Sequence, residues 1–83
     1  MPTTLTWLGH ASWLIESGEH TLLVDPFLND SPTAPIKAAA VKPNFILISH
    51  GHFDHVADAA AIAIRHEATV IANYEICEWL GKQ

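Results

Sequence analysis

A single cysteine, Cys77, stands in this chain, so no internal disulfide can form and nothing argues for an oxidising compartment. Its neighbours Glu75 and Glu78 are acidic and withhold the positive surroundings that would activate a thiolate, so Cys77 is expected to be a small buried residue. Cations are nearly as scarce. Lys37, Lys42, Arg65 and Lys82 are scattered along the chain, and against nine acidic residues they leave a net charge of −5. No basic stripe exists to neutralise a run of phosphates, so nucleic acid is not an expected ligand. No apolar run approaches the roughly 18–20 residues of a membrane span, and Met1-Pro2-Thr3 lacks the basic start of a secretory signal. A cytoplasmic chain with no membrane partner is the expectation. Internal repeats, low-complexity tracts and linkers are absent as well, so the 83 residues make one domain at most.

What is present is apolar. Hydrophobic residues make up 49% of the chain and charged ones 16%, which excludes a disordered acidic tail. A domain of this size buries only roughly 60–65% of the surface its unfolded chain exposes. Some apolar surface is therefore expected to need a partner: a missing C-terminal half or a second copy of the chain.

Leu5–Leu8 and Ala11–Glu16 read as strands, rich in the large apolar and aromatic residues that suit a pleated surface. Ser17-Gly18-Glu19 turns the chain into a third strand, His20–Val24, whose run Leu22-Leu23-Val24 predicts cover on both faces. Asp25-Pro26 stops that strand, because proline donates no N–H and restricts the residue before it. The segment from Asn29 to Pro35 is dense in turn formers, and Ile36–Ala40 offers a single helical turn. Phe45–Ile48 reads as a buried strand that delivers Ser49 and His50 at its C-terminal end. Val56, Ala59, Ala60 and Ala63 recur at helical spacing and predict an amphipathic helix to about residue 65 or 66. A fifth strand at Thr69–Ala72 and a last helix from Tyr74 to about Gly81, burying Ile76, Cys77 and Leu80, complete the pattern. Strand-helix-strand at this spacing implies a parallel pair with a right-handed crossover. The fold class is α/β: an antiparallel hairpin, a strand-helix-strand unit and a C-terminal helix.

The chemistry concentrates in His50-Gly51-His52-Phe53-Asp54-His55. Alternate residues of an extended segment point the same way, so His50 and His52 can present two imidazoles to one ion. Asp54 and His55 follow as the chain enters a helix, and turning at Gly51 and Phe53 lets the two pairs face a common cavity, which suits two ions. An ion held by imidazoles and a carboxylate acts as a Lewis acid and lowers the pKa of bound water towards about 7, so hydrolysis is the expected reaction. No Ser or Cys nucleophile is required, and Ser49 is expected to be an ordinary loop residue. His20 and His66 are expected at the surface.

This run resembles the HxHxDH motif of the metallo-β-lactamase superfamily, whose fold is a four-layer αββα sandwich. Leu8-Gly9-His10-Ala11, Leu23-Val24-Asp25-Pro26 and Ala72-Asn73-Tyr74-Glu75-Ile76 are further similar to its lactonase-like group of metal-dependent hydrolases, relatives of the ascorbate-6-phosphate lactonases. The resemblance spans nearly the whole chain and implies that residues 1–83 are one partial domain, the N-terminal portion of such a fold. It makes His50 and His52 ligands of a first metal and assigns Asp54 and His55 to a second, with Asp54 also orienting the attacking water as the catalytic residue. Asp25 matches the family's acidic residue that orients a ligating imidazole, the alternative being a buried strand-end carboxylate that caps a loop. His10 matches the histidine of the group's glycine-histidine segment, as a ligand or substrate contact, the alternative being a surface hairpin residue.

The family takes a third histidine on the first metal, a carboxylate bridging both ions and a further histidine on the second, all from later in the chain. With two protein ligands per ion, this chain alone is expected to bind metal weakly. The expected cofactor is a pair of divalent ions, Zn²⁺ or Mn²⁺, and the expected substrate of the complete protein a small ester, lactone or phosphorylated molecule. Two other readings remain: a non-catalytic half-fold that pairs with itself through its apolar surface, and part of a superfamily nuclease, which the acidity disfavours.

Overall fold

A computed structural model describes residues 3–81. Its frame is one five-stranded sheet in sequence order: β1 (Thr3–Trp7), β2 (Trp13–Ser17), β3 (His20–Val24), β4 (Phe45–Leu47) and β5 (Thr69–Ile71). β1, β2 and β3 form an antiparallel meander, after which β3 to β4 and β4 to β5 run parallel. A short helical turn, α1 (Phe53–Val56), and α2 (Ala59–His66) lie between β4 and β5, and α3 (Tyr74–Leu80) follows β5. The expected helical turn at Ile36–Ala40 is a 3₁₀ turn at Ala38–Ala40.

Register fixes which side chains share a face. Leu14, Leu23, Ile46 and Val70 fall in line across β2 to β5. They join Leu8, Ile48, Val56, Ala59, Ile62 and Ile76 in the core. Leu23 and Ile46 are fully buried, each worth about 1.5–3 kcal/mol of transfer free energy. The opposite face aligns Leu5, Trp7, Trp13, Ile15, Leu22, Val24, Phe45, Leu47 and Ile71. This face is open: Leu5 is 60% and Trp7 55% exposed. The expectation that Leu22-Leu23-Val24 is covered on both sides is thereby corrected, since Leu23 alone of the run is buried and its neighbours point to the open face.

The long amphipathic helix is interrupted at Ala57 and Asp58. Asp58 sits at the start of α2, but its carboxylate accepts from the backbone N–H groups of Leu28 and Asn29 instead of capping the helix, and its own N–H donates to the Pro26 carbonyl. A short polar side chain that finds backbone partners outside its own helix favours such a break. The loop after β3 is thereby tied to the turn that carries the histidine motif. α2 ends at Glu67, whose left-handed backbone (φ 52°) caps it. In α3, Ile76 is buried but Cys77 is exposed and Leu80 half-buried, because the helix lays only one narrow stripe on the core. His66 is half-buried rather than superficial, and its enclosed Nε2 finds no hydrogen-bond partner among the described residues.

Candidate metal centre

The site lies where β3 and β4 end and where the β1–β2 turn comes closest to them. β4 ends at Leu47, and the chain passes through Ser49 and His50 before α1 begins at Phe53 and carries Asp54 and His55. β3 ends at Val24, followed by Asp25 in the left-handed conformation (φ 46°). Left-handed backbone at a residue other than glycine costs on the order of 1–3 kcal/mol and persists only where surrounding bonds enforce it.

Those bonds converge on the Asp25 carboxylate, whose side chain is only 4% exposed. Ser49 donates its backbone N–H to Oδ1 and its hydroxyl to Oδ2, both at 2.6 Å, and His55 Nδ1 lies 2.8 Å from Oδ2. Burial works to raise the Asp25 pKa, but the hydrogen bonds from Ser49 and His55 outweigh it and hold the carboxyl below its ordinary value of 3.8. An ionised carboxylate only accepts, so His55 Nδ1 must carry a proton, and in the neutral ring it is then Nε2 that keeps the lone pair.

The same logic reaches His50. Ser49 has one hydroxyl proton and gives it to Asp25, so Ser49 Oγ, 3.0 Å from His50 Nδ1, acts as acceptor there. His50 Nδ1 then carries a proton, and the neutral ring again keeps its lone pair on Nε2. One buried carboxylate sets the tautomer of two imidazoles, directly at His55 and through Ser49 at His50. This ordering of ring nitrogens is what metal-ligating histidines need. Ser49 is therefore more than the loop residue that its position suggested.

His10 enters from the turn between β1 and β2. Leu8 N–H donates to the Ser12 carbonyl and Ser12 N–H to that of Gly9, while the Trp7 indole N–H donates to the His10 carbonyl at 2.8 Å. Gly9 (φ 90°) and His10 (φ 49°) are both in positive-φ conformations. Gly9 passes close to Thr33 and Ala34, leaving no room for a Cβ. Buried Ser12 fastens the turn to the end of β3, donating to the Asp25 carbonyl at 2.6 Å and accepting from Phe27 N–H at 3.1 Å. Neither Ser12 nor Asp58 was singled out by sequence reasoning, and no spacing signal marks them, because their partners are backbone groups distant in the chain.

His10 Nε2 lies 2.8 Å from Asp54 Oδ2, and His55 Nε2 lies 3.7 Å from Asp54 Oδ1. Among the described residues, His10, Asp54 and His55 form a donor set whose ligand atoms all lie within 4.8 Å of one another. His50 and His52 stand beside it: their ring centroids are 4.6 Å apart, and that of His50 is 3.8 Å from that of His55. All six candidate residues thus border one region, with His10, Asp54 and His55 as its convergent set and Asp25 behind them. Imidazole nitrogens and a carboxylate within this reach are the donor chemistry of Zn²⁺ and Mn²⁺ sites, so the residues fit a divalent metal.

Residues 4–81 match the family model described as the beta-lactamase superfamily domain. Metal-dependent hydrolases of Brucella canis and Brucella suis are each 48% identical over 82 residues, covering 95% of this chain and 35% of theirs. A further metal-dependent hydrolase, of Brucella anthropi, is 49% identical over the same share. The chain therefore spans about a third of the length of the curated relatives it matches. Among solved structures, the metallo hydrolase Igni18 of the hyperthermophilic archaeon Ignicoccus hospitalis superposes with a TM-score of 0.79 at 28% identity, over 96% of this chain and 36% of that one.

Proposed function

Since the chain belongs to the beta-lactamase superfamily and carries the N-terminal part of its fold, we propose that it supplies the leading metal-binding portion of a metal-dependent hydrolase. The complete enzyme would cleave a small ester, lactone or phosphorylated substrate with activated water, in the cytoplasm. One observation carries this most: the convergence of His10, Asp54 and His55 in front of a buried, ionised Asp25.

A divalent ion bound there, Zn²⁺ or Mn²⁺, supplies Lewis acidity and lowers the pKa of water. The chain's own residues do the rest. His50, His52, Asp54 and His55 hold two ions, and Asp25 and Ser49 keep the ring nitrogens of His50 and His55 in the ligating tautomer. Asp54, whose side chain is 44% exposed, is the carboxylate at the rim within reach of solvent and the group to orient the attacking water. Asp25 is too deeply buried to touch a substrate. In this reading residues 1–83 are one partial domain. Its open sheet face takes the second β-layer of the sandwich, and the remaining ligands come from the length of the relatives that this chain does not span.

The test is hydrolysis by the complete protein of a panel of aryl esters, lactones and phosphodiesters, with Zn²⁺ or Mn²⁺ and after chelation. Turnover that chelation abolishes and Asp54→Asn lowers by about 10²-fold or more supports the proposal. Turnover indifferent to both sinks it. The exposed Leu5, Trp7 and Trp13 also favour a second reading, in which two copies of the chain pair through this face. Sedimentation of the purified chain decides that, and a monomer across the micromolar range counts against pairing.

A further inference from the structure

We propose that His10 is a metal ligand, so that this chain holds one ion by itself through His10 Nε2, Asp54 and His55 Nε2, and fills that position before the one at His50 and His52. The inference rests on the metal-hydrolase reading and makes the two positions unequal. With two donors apiece both should be weak, but His10, from a turn 44 positions earlier in sequence, brings the second position to three protein donors. Three donors with an open fourth place is the composition of catalytic zinc sites. Among the described residues, no comparable third donor closes on His50 and His52.

The distances agree with an ion between these groups. Metal–nitrogen and metal–oxygen bonds of about 2.0–2.2 Å at tetrahedral angles set neighbouring donors about 3.3 Å apart. The two imidazoles flank Asp54 at 2.8 and 3.7 Å, either side of that separation. Adjustments of about half an ångström bring each imidazole to that separation from Asp54, and the two imidazole nitrogens, within 4.8 Å of each other, close on an ion by side-chain rotation at a site where His10 and Asp54 are each nearly half exposed.

His55 is prepared for the task by Asp25, which occupies its Nδ1 and leaves Nε2 for the ion. His10 is held through its backbone: the Trp7 indole bond fixes its carbonyl, and Ser12 ties the turn to the strand that ends at Asp25. No described side chain other than Asp54 is within ion-pair distance of His10 Nε2.

The experiment is titration of the purified 83-residue chain with Co²⁺, followed by visible absorption, and with Zn²⁺ against a chelating dye, both read per chain. The wild type is compared with His10→Ala, His10→Asn and the double variant H50A/H52A, with circular dichroism to confirm folding. Asparagine tolerates the left-handed backbone, so His10→Asn removes the imidazole without disturbing the turn. Losing an outer-sphere partner costs about 10–100-fold in metal affinity, so losing a ligand should reach about 100-fold in both His10 variants. H50A/H52A should keep one equivalent of Co²⁺, bound more tightly than in either His10 variant.

Wild-type affinity in His10→Asn would overturn the proposal and reduce the contact with Asp54 to an ion pair. So would loss of the tight equivalent in H50A/H52A, which would make His50 and His52 the primary position, and so would an 83-residue wild type that binds no metal. None of these outcomes alters whether the complete protein's hydrolysis depends on metal, so failure here and failure of the hydrolase reading remain separate.

Discussion

β2 is entered and left by two turns that solve the same problem differently. The β2–β3 turn is minimal: Ser17 pairs with His20, and the two residues between them, Gly18 and Glu19, complete it with a positive φ at Gly18. Glycine at the first of two loop positions is the favoured geometry for joining twisted antiparallel strands. The β1–β2 turn is longer and places a histidine in the left-handed region after a glycine already there. Its backbone is also pressed against Thr33 and Ala34 and bonded by an indole and a buried serine. A turn that only reverses the chain uses the cheapest conformation, whereas one that aims a side chain carries strain and needs outside support.

That contrast can be broken most forcefully at the support. Asp25→Ala removes the acceptor of three donors from Ser49 and His55 in a region almost closed to water. A destabilisation of about 3 kcal/mol is expected from equilibrium urea unfolding. Loss of less than about 1 kcal/mol would mean that water or neighbouring groups replace the carboxylate.

Acid should reproduce part of this without mutation. The Asp25 pKa is lowered in the folded chain relative to its ordinary 3.8, so its stabilising contribution is complete above that value. It is lost as the pH falls from there through the lowered pKa. Thermal melts of metal-free protein should therefore change little through this group at neutral pH and fall steeply below about pH 4. The Asp25→Ala variant should show a shallower fall over the same range.

The two glycines sharpen the comparison directly. Gly9→Ala meets Thr33 Oγ1 at 2.7 Å and the Thr33–Ala34 backbone at 3.0 Å, in addition to the cost of φ 90°. A loss of about 2–3 kcal/mol is expected, against about 1 kcal/mol for Gly18→Ala, where the backbone cost of a positive φ dominates. Equal losses in the two variants would show that the loop carrying Thr33 yields to the added methyl. The smallest effect belongs to His10→Gly. Relief of the left-handed backbone should offset loss of the exposed contact with Asp54, leaving the melting temperature unchanged or slightly raised, by up to about 1 kcal/mol in stability. A clear drop would show instead that His10 holds the fold together in the absence of metal.

Much of the frame is legible in residue patterning alone. The strand His20–Val24 has the expected bounds, and the strands at Phe45 and Thr69 end one residue short of expectation. The departures from that pattern have physical causes. β1 ends earlier and β2 starts later than expected because Leu8–Ser12 is consumed by the supported turn, and Leu8, past the strand, is a fully buried core residue. The helix break at Asp58 carries no sequence signal because helical spacing continues across it, while the carboxylate is drawn away by backbone donors 29 and 30 positions earlier.

At the site, adjacency in sequence determined what kind of chemistry is present. His50, His52, Asp54 and His55 lie within one short segment, and the geometry of a strand end running into a helix turns that spacing into neighbouring donors. The resemblance pointed to Asp25 as the residue that orients a ligating imidazole and to His10 as a ligand or substrate contact, but which groups each meets was beyond its reach. Only tertiary structure decided that Asp25 and Ser49 together order two imidazoles, that Ser12 ties one turn to another strand's end, and that His10 meets Asp54. Those contacts depend on how β1–β2, β3 and β4 are placed side by side, and no local periodicity encodes the distance between chain segments 13 to 44 positions apart. Likewise the apolar residues of both sheet faces were visible in the sequence, but which face the helices cover was decided by packing, since strand alternation is the same on either side.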